Sequence, residues 1–208
     1  GLNLNTLMSV SPDSDSSPEK RANDILQLVL QWQSDFESLH SCKKPVIAAV
    51  HGFTIGGAVD LICAADIRLA TTDAYFSIAE TQLGIPADVG TLQRIQKICS
   101  HGFAREMAFT GAKVGAKRAL KFGFVNELYK DRNALLEGAR KMAKQIAENS
   151  PRAVIATKFA LNYADQHTLK DSLYQIALFN SGHLPTTDIA AAIQAKMNKT
   201  KPTFQASL

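Results

Sequence analysis

A run of β-branched and small apolar residues, Val46-Ile47-Ala48-Ala49-Val50, leads directly into His51-Gly52 and, after a short loop, into Gly56-Gly57. Continuous apolar character without polar alternation reads as a strand buried on both faces. The glycine pair opens a short apolar segment, Ala58 to Ala65, which reads as a small helix. Two further strand-like runs follow, Asp66 to Ala70 and Ala74 to Ile78. This order suggests a repeating β–β–α arrangement and an α/β fold.

The flanking segments are helical in pattern. Val10 to Pro18 reads VSPDSDSSP, turn formers and acids that bury no apolar area, and is expected to be a mobile loop able to act as a lid. Ser17-Pro18-Glu19 is a helix start, and Ile25, Leu28, Val29, Trp32, Phe36 and Leu39 recur at steps of three and four. An amphipathic helix is therefore expected from about Pro18 to His40, stopped by Lys43-Lys44-Pro45. From Thr91 onward the segments Thr91–Cys99, Arg105–Thr110, Lys113–Phe122, Arg132–Glu148, Pro151–Tyr163, Leu169–Phe179 and Thr187–Lys199 all carry helical periodicity. Ser150-Pro151 caps one of them, and Ala190, Ala191, Ile193 and Met197 form an apolar stripe that needs a partner surface.

Composition excludes several classes. With 208 residues, 46% hydrophobic and 20% charged, the chain fits one medium globular domain. Its apolar runs fall far short of the roughly 18 to 20 residues of a spanning helix, so no membrane partner is expected. The three cysteines, Cys42, Cys63 and Cys99, form no CxxC pair, so neither a disulfide framework nor a metal site is expected. The net charge of +4 is spread among acids, without a dense basic block or aromatic–basic interleaving, so binding of nucleic acid is not expected.

A strand, a loop and then Gly56-Gly57 at a helix start would leave backbone N–H groups unpaired where the helix dipole favours negative charge, a place to hold an oxyanion. Two glycines alone could equally serve a tight turn and close helix packing. Three acids set among small and apolar residues add weight: Asp60 in the first turn after Gly57, Glu80 just past the Ala74–Ile78 run, and Asp88 in the loop Gly84-Ile85-Pro86-Ala87-Asp88-Val89-Gly90. A carboxylate in an apolar segment must be hydrogen-bonded, paired or held at a raised pKa, and a raised pKa suits proton transfer. Taken singly, each also fits a helix-end charge, a solvated strand end or an Asx turn. His51 reads as a structural histidine, and the cysteines as inert thiols.

PVIAAVHGFTIGGAVDLICAADIRLAT (Pro45 to Thr71) and AYFSIAETQLGIPADVGTLQRI (Ala74 to Ile95) resemble the central segments of the crotonase, or enoyl-CoA hydratase/isomerase, superfamily. Within it the resemblance is closest to the Δ3,5-Δ2,4-dienoyl-CoA isomerases. Their pattern of an Asp after the glycine turn, a Glu twenty positions on and an Asp eight beyond matches Asp60, Glu80 and Asp88. Simple hydratases carry glutamate at the first two positions and typically glycine at the third.

The resemblance implies a crotonase-like spiral of ββα units over residues 1–145 and a C-terminal helical oligomerisation region over 146–208. It implies isomerisation of a 3,5-dienoyl-CoA to the 2,4-dienoyl-CoA in fatty-acid β-oxidation. Glu80 and Asp88 would be a proton shuttle pair, Asp60 would polarise or orient them, and the backbone N–H groups of Leu2 and Gly57 would form the oxyanion hole. No cofactor is implied, because coenzyme A is part of the acyl-CoA thioester substrate. Its phosphates could meet basic residues in Lys113–Lys121 or the last helix. A homo-trimer or hexamer and a mitochondrial or peroxisomal location follow by the same route, although Ala206-Ser207-Leu208 is only loosely similar to a peroxisomal SKL address. Departing from the pattern, the strands that normally precede Gly1-Leu2-Asn3-Leu4 are missing, as is the usual acid at Asn3, which suggests a fragment or trimmed precursor. An enoyl-CoA hydratase and a crotonase-like RNA-binding protein are the alternatives.

Overall fold

The computed structural model describes residues 17–184 and 186–204, the side chain of His183 apart. Leu2, the Gly1–Leu4 segment, most of the expected 10–18 loop and the C-terminal tripeptide lie outside the described residues. Two compact units divide the chain. One takes the described residues through Cys42 together with Val46–Ala139, and the other takes Lys43–Pro45 and the described residues from Arg140 onward.

The first unit begins with helix α1 (Pro18–His40), where Ser17 Oγ accepts the Lys20 N–H at 3.3 Å and proline occupies the first turn. The expected stripe is real but thinly covered. Leu28, Val29, Trp32, Phe36 and Leu39 are half-buried and Ile25 is exposed.

Strands β1 (Ile47–Val50) and β2 (Phe53–Ile55) lead into α2 (Gly57–Cys63), and β3 (Ile67–Thr71) and β4 (Tyr75–Ser77) repeat the pair. β1 pairs in parallel with β3, Ile47 opposite Ile67, while β2 pairs in parallel with β4, Phe53 opposite Tyr75. Each ββ pair thus contributes one strand to each of two sheets before the helix returns the chain, which winds the units into a spiral. After β4 come a 3-10 turn (Glu80–Leu83), α3 (Thr91–Ile98) and α4 (His101–Thr110). β5 (Val114–Gly115) then adds antiparallel to β4, and α5 (Ala116–Lys121) and β6 (Glu127–Tyr129) follow. The sheets run β1-β3-β6 and β2-β4-β5.

Several expectations need correction. The Gly52–Gly56 interval is not merely a loop but holds β2, whose three residues are too few for a period-2 pattern to show. The helix expected from Lys113 starts at Ala116, because Val114 and Gly115 pair with β4. The helix expected at Arg105 starts at His101. β1 is not buried on both faces. It forms the edge of its sheet among the described residues, which leaves Ile47, Ala48 and Ala49 half-covered and only Val50 buried.

The core of this unit lies between the strands and α2 to α5, with Leu69, Phe76, Phe124, Val59, Ile95 and Met107 fully buried. Phe76 meets Phe124 edge-on, centroids 5.2 Å apart at 82°, an arrangement aromatic quadrupoles favour. Arg68 is buried on β3, its guanidinium donating to the carbonyls of Phe124 (2.9 Å), Ala65 (2.7 Å) and Ile62 (3.3 Å). A cation against the carbonyl end of α2 complements the helix dipole.

Helix α6 (Arg132–Ala147) carries the chain into the second unit, built from α7 (Pro151–Ala164), α8 (Leu169–His183) and α9 (Thr187–Met197). Ser150, Thr168 and Thr186 cap these three by accepting the N–H three residues on. The stripe on α9 is largely open, with Ile193 and Met197 exposed.

Phe76→Ala is expected to destabilise by about 3–5 kcal/mol, because it removes a fully buried ring and leaves Phe124 facing a void. Urea unfolding monitored by circular dichroism measures this, and a loss below about 1 kcal/mol would contradict the packing described.

Candidate functional site

The turn between β2 and α2 needs glycine. Gly56 sits at φ +59°, and a Cβ there would come within 3.1 Å of Glu80 Oε1, so the Glu80 carboxyl lies directly over the turn. The Gly56 N–H donates to the Ser77 carbonyl (3.0 Å), fixing the start of α2 against β4. The Gly57 N–H, by contrast, donates to no group among the described residues, and the space where its Cβ would stand is open. This is the arrangement an oxyanion donor requires.

Three elements deliver the three acids. Asp60, in the first turn of α2, is 1% exposed, and its Oδ1 accepts the Thr91 N–H at 2.6 Å. Thr91 opens α3, whose cap residue Gly90 has no side chain to offer, so a carboxylate from 31 residues upstream caps that helix instead. Glu80 begins the 3-10 turn after β4, where its Oε2 is buried without a hydrogen-bond partner among the described residues. Asp88 is exposed, between the buried Ala87 and Val89 in the Gly84–Gly90 loop.

Electrostatics link them. Burial pushes the Asp60 carboxyl above the usual range, against the opposing pull of Thr91 and, more weakly, of Arg94, while the Asp88 charge pushes the same way as burial. Burial also raises Glu80, opposed by its own backbone N–H, and the charges of Asp60 and Asp88 raise it further. The site therefore holds carboxyls that compete for negative charge, the condition for sharing a proton.

Sequence reasoning missed four residues around the acids. Thr91 caps through Asp60. Gln33 on α1 donates its Nε2–H to the Asp88 carbonyl at 2.7 Å, and Arg94 on α3 pairs with Glu37 at 2.5 Å. Gly90 before Thr91 was the available signal for an uncapped helix, but nothing in the sequence pairs α1 with the Asp88 loop. His51, expected to be hydrogen-bonded, is exposed and makes no hydrogen bond among the described residues. Burial pushes the Cys63 thiol up to about 12 and the Cys99 thiol up to about 11, so neither supplies a thiolate.

Comparison with known proteins gives the family. Residues 18–207 match the family model for enoyl-CoA hydratase/isomerase. A mitochondrial Δ(3,5)-Δ(2,4)-dienoyl-CoA isomerase of Dictyostelium discoideum is 45% identical over 209 aligned positions, covering 100% of this chain and 71% of its own length. A peroxisomal enzyme of the same description from Arabidopsis thaliana is 37% identical, covering 98% of this chain and 74% of its own. Mammalian relatives are longer, and the chain spans about half of their length. An enoyl-CoA hydratase crystal structure from Bacillus anthracis superposes with a TM-score of 0.84 at 26% identity, over 98% of this chain and 87% of that one.

The raised carboxyls give stability a pH dependence of known sign. Between the ordinary carboxylate pKa and the raised native one, the folded state binds more protons than the unfolded, so stability falls as pH rises through that window. Asp60→Asn keeps an oxygen for the Thr91 N–H and Glu80→Gln keeps the side chain's shape. Each is expected to gain Tm over wild type on the alkaline side and to match it below about pH 4. Thermal melts from pH 4 to 8 that stay parallel would show that the carboxyls are not held as described.

Proposed function

The chain belongs to the enoyl-CoA hydratase/isomerase family, and from that premise we propose that it is a Δ3,5-Δ2,4-dienoyl-CoA isomerase working by a carboxylate proton relay. The observation that carries this reading is the Glu80 carboxyl over Gly56, one of its oxygens buried with no hydrogen-bond partner among the described residues, and within reach of the charges of Asp60 and Asp88. A hydratase needs acids to activate water. A third acid is what a transfer between two distant carbons adds.

The acyl-CoA thioester oxygen would accept the Gly57 N–H, with Leu2, outside the described residues, as the second donor. One of Glu80 and Asp88 takes the proton from C2, beside the thioester carbonyl. The electron pair spreads through the C3=C4 and C5=C6 double bonds, and the oxyanion donors stabilise the resulting dienolate. The other acid delivers a proton to C6, leaving double bonds at C2=C3 and C4=C5. Atoms and electrons balance without an oxidant or reductant, so no cofactor is called for. Asp60, anchored to Thr91, and Asp88 both oppose the ionisation of Glu80, which favours the pair holding one proton.

A mitochondrial or peroxisomal location follows the relatives' names, and a setting in fatty-acid β-oxidation belongs to the same proposal. Assembly into trimers or hexamers belongs to the same proposal, supported by Leu169, Leu173, Tyr174 and Leu178, all exposed on α8, and by Met197 on α9. Light scattering that gives only monomers would refute it. The described residues contain no helix long and apolar enough to cross a membrane.

Mixing the protein with a 3,5-dienoyl-CoA is expected to produce the absorption band of a diene conjugated to the thioester. Asp88→Asn and Glu80→Gln should each slow its appearance by about 10²–10⁴-fold while the circular dichroism spectrum stays that of wild type. Hydration of a 2-enoyl-CoA without diene isomerisation would replace this reading with the hydratase.

A further inference from the structure

We propose that Gln33 and the Glu37–Arg94 ion pair are positioning residues that hold the Gly84–Gly90 loop so that the Asp88 carboxylate stays within range of Glu80 and Asp60. This inference rests on the reading of Asp88 as half of the proton relay.

The loop has little of its own to hold it. Gly84 and Ile85 donate to the carbonyls of Thr81 and Glu80, but the N–H groups of Ala87, Asp88, Val89 and Gly90 make no hydrogen bond among the described residues. The loop is instead gripped by its carbonyls. Gln33 Nε2 donates to Asp88 O at 2.7 Å, Arg94 Nη1 reaches Val89 O at 3.5 Å, and the Arg94 backbone N–H donates to Gly90 O at 3.1 Å. Ala87 and Val89 are buried on either side of the exposed Asp88, and the Gln33 bond falls on that same residue.

The two grips share one helix face. Gln33 and Glu37 are four residues apart on α1, hence neighbours on its surface, and Glu37 Oε2 pairs with Arg94 Nη2 at 2.5 Å. The Arg94 side chain is 18% exposed and the Glu37 side chain 50%, so the pair is shielded from solvent on the arginine side only. Gly90 completes the fit. It sits at φ +125°, and a Cβ there would overlap the Arg94 guanidinium, so glycine both permits the turn and leaves room for the arginine over the loop. Asp60 holds the far end of the loop through the Thr91 N–H. Asp88 therefore hangs between the Thr91 anchor on Asp60 and the Gln33 anchor on α1.

The test compares wild type with Gln33→Ala, Glu37→Ala and Glu37→Gln, reading amide hydrogen exchange by mass spectrometry and steady-state isomerisation. Gln33→Ala and Glu37→Ala are expected to speed exchange of the Thr91 and Arg94 amides, which bond to Asp60 and to the Gly90 carbonyl, by about tenfold while residues 67–77 stay unchanged. They should also lower kcat by about tenfold with KM within about twofold, the signature of misplaced chemistry rather than lost binding. Glu37→Gln keeps an oxygen acceptor for Arg94 and should restore both readouts most of the way. Wild-type turnover with unchanged exchange in the alanine variants, or with faster exchange and unchanged kcat, overturns the positioning role alone. A folded wild type that isomerises no dienoyl-CoA overturns the reading of the site and the positioning role with it, whatever the exchange shows.

Discussion

The bond from the Thr91 N–H to the buried Asp60 carboxylate is the constraint on which the site depends. A carboxylate so deeply covered would be expelled or neutralised unless something answered its charge, and what answers it is the free end of a helix. The exchange is mutual. α3 lacks a capping side chain of its own at Gly90, so the helix start and the acid are each unsatisfied without the other. Through this one contact the start of α3, and with it the end of the Gly84–Gly90 loop, is fixed to α2.

The same arrangement works against the stability of the protein at neutral pH. Glu80 keeps a buried oxygen with no partner, and its two acidic neighbours add to the cost of ionising it. A sequence selected for stability alone would place an amide or an apolar residue there. Groups that are badly solvated and repel one another are also the ones whose protons move readily, and strain of this kind concentrates where chemistry is done.

The sequence revealed the parts governed by short-range rules. Ser17-Pro18 and Ser150-Pro151 start helices as read, because the cap and the fixed proline φ are local. The glycine turn and the three acids were found by their residue types, and Asp60 and Glu80 sit where a carboxyl is poorly solvated. What was hidden has long-range causes. β2 and β5 exist only because β4 lies between them to pair with, and three- and two-residue strands leave no periodicity to detect. The contact of Gln33 with Asp88 joins residues 55 apart, and a glutamine on the polar side of an amphipathic helix looks like any solvated residue. His51 follows a strand that is the edge of its sheet among the described residues, and it is exposed.

The strand register gives the acidic motif another meaning. Ile47 pairs with Ile67 and Val50 with Ala70, twenty residues apart, and the same interval separates Asp60 from Glu80. The other sheet pairs Phe53 with Tyr75, twenty-two residues apart, so one ββα turn of the coil takes twenty to twenty-two residues of chain and residues that far apart lie on successive turns. The spacing of the two acids is thus a property of the winding, while the chemistry resides in which side chains occupy successive turns. Substitution there can change the reaction without unwinding the coil.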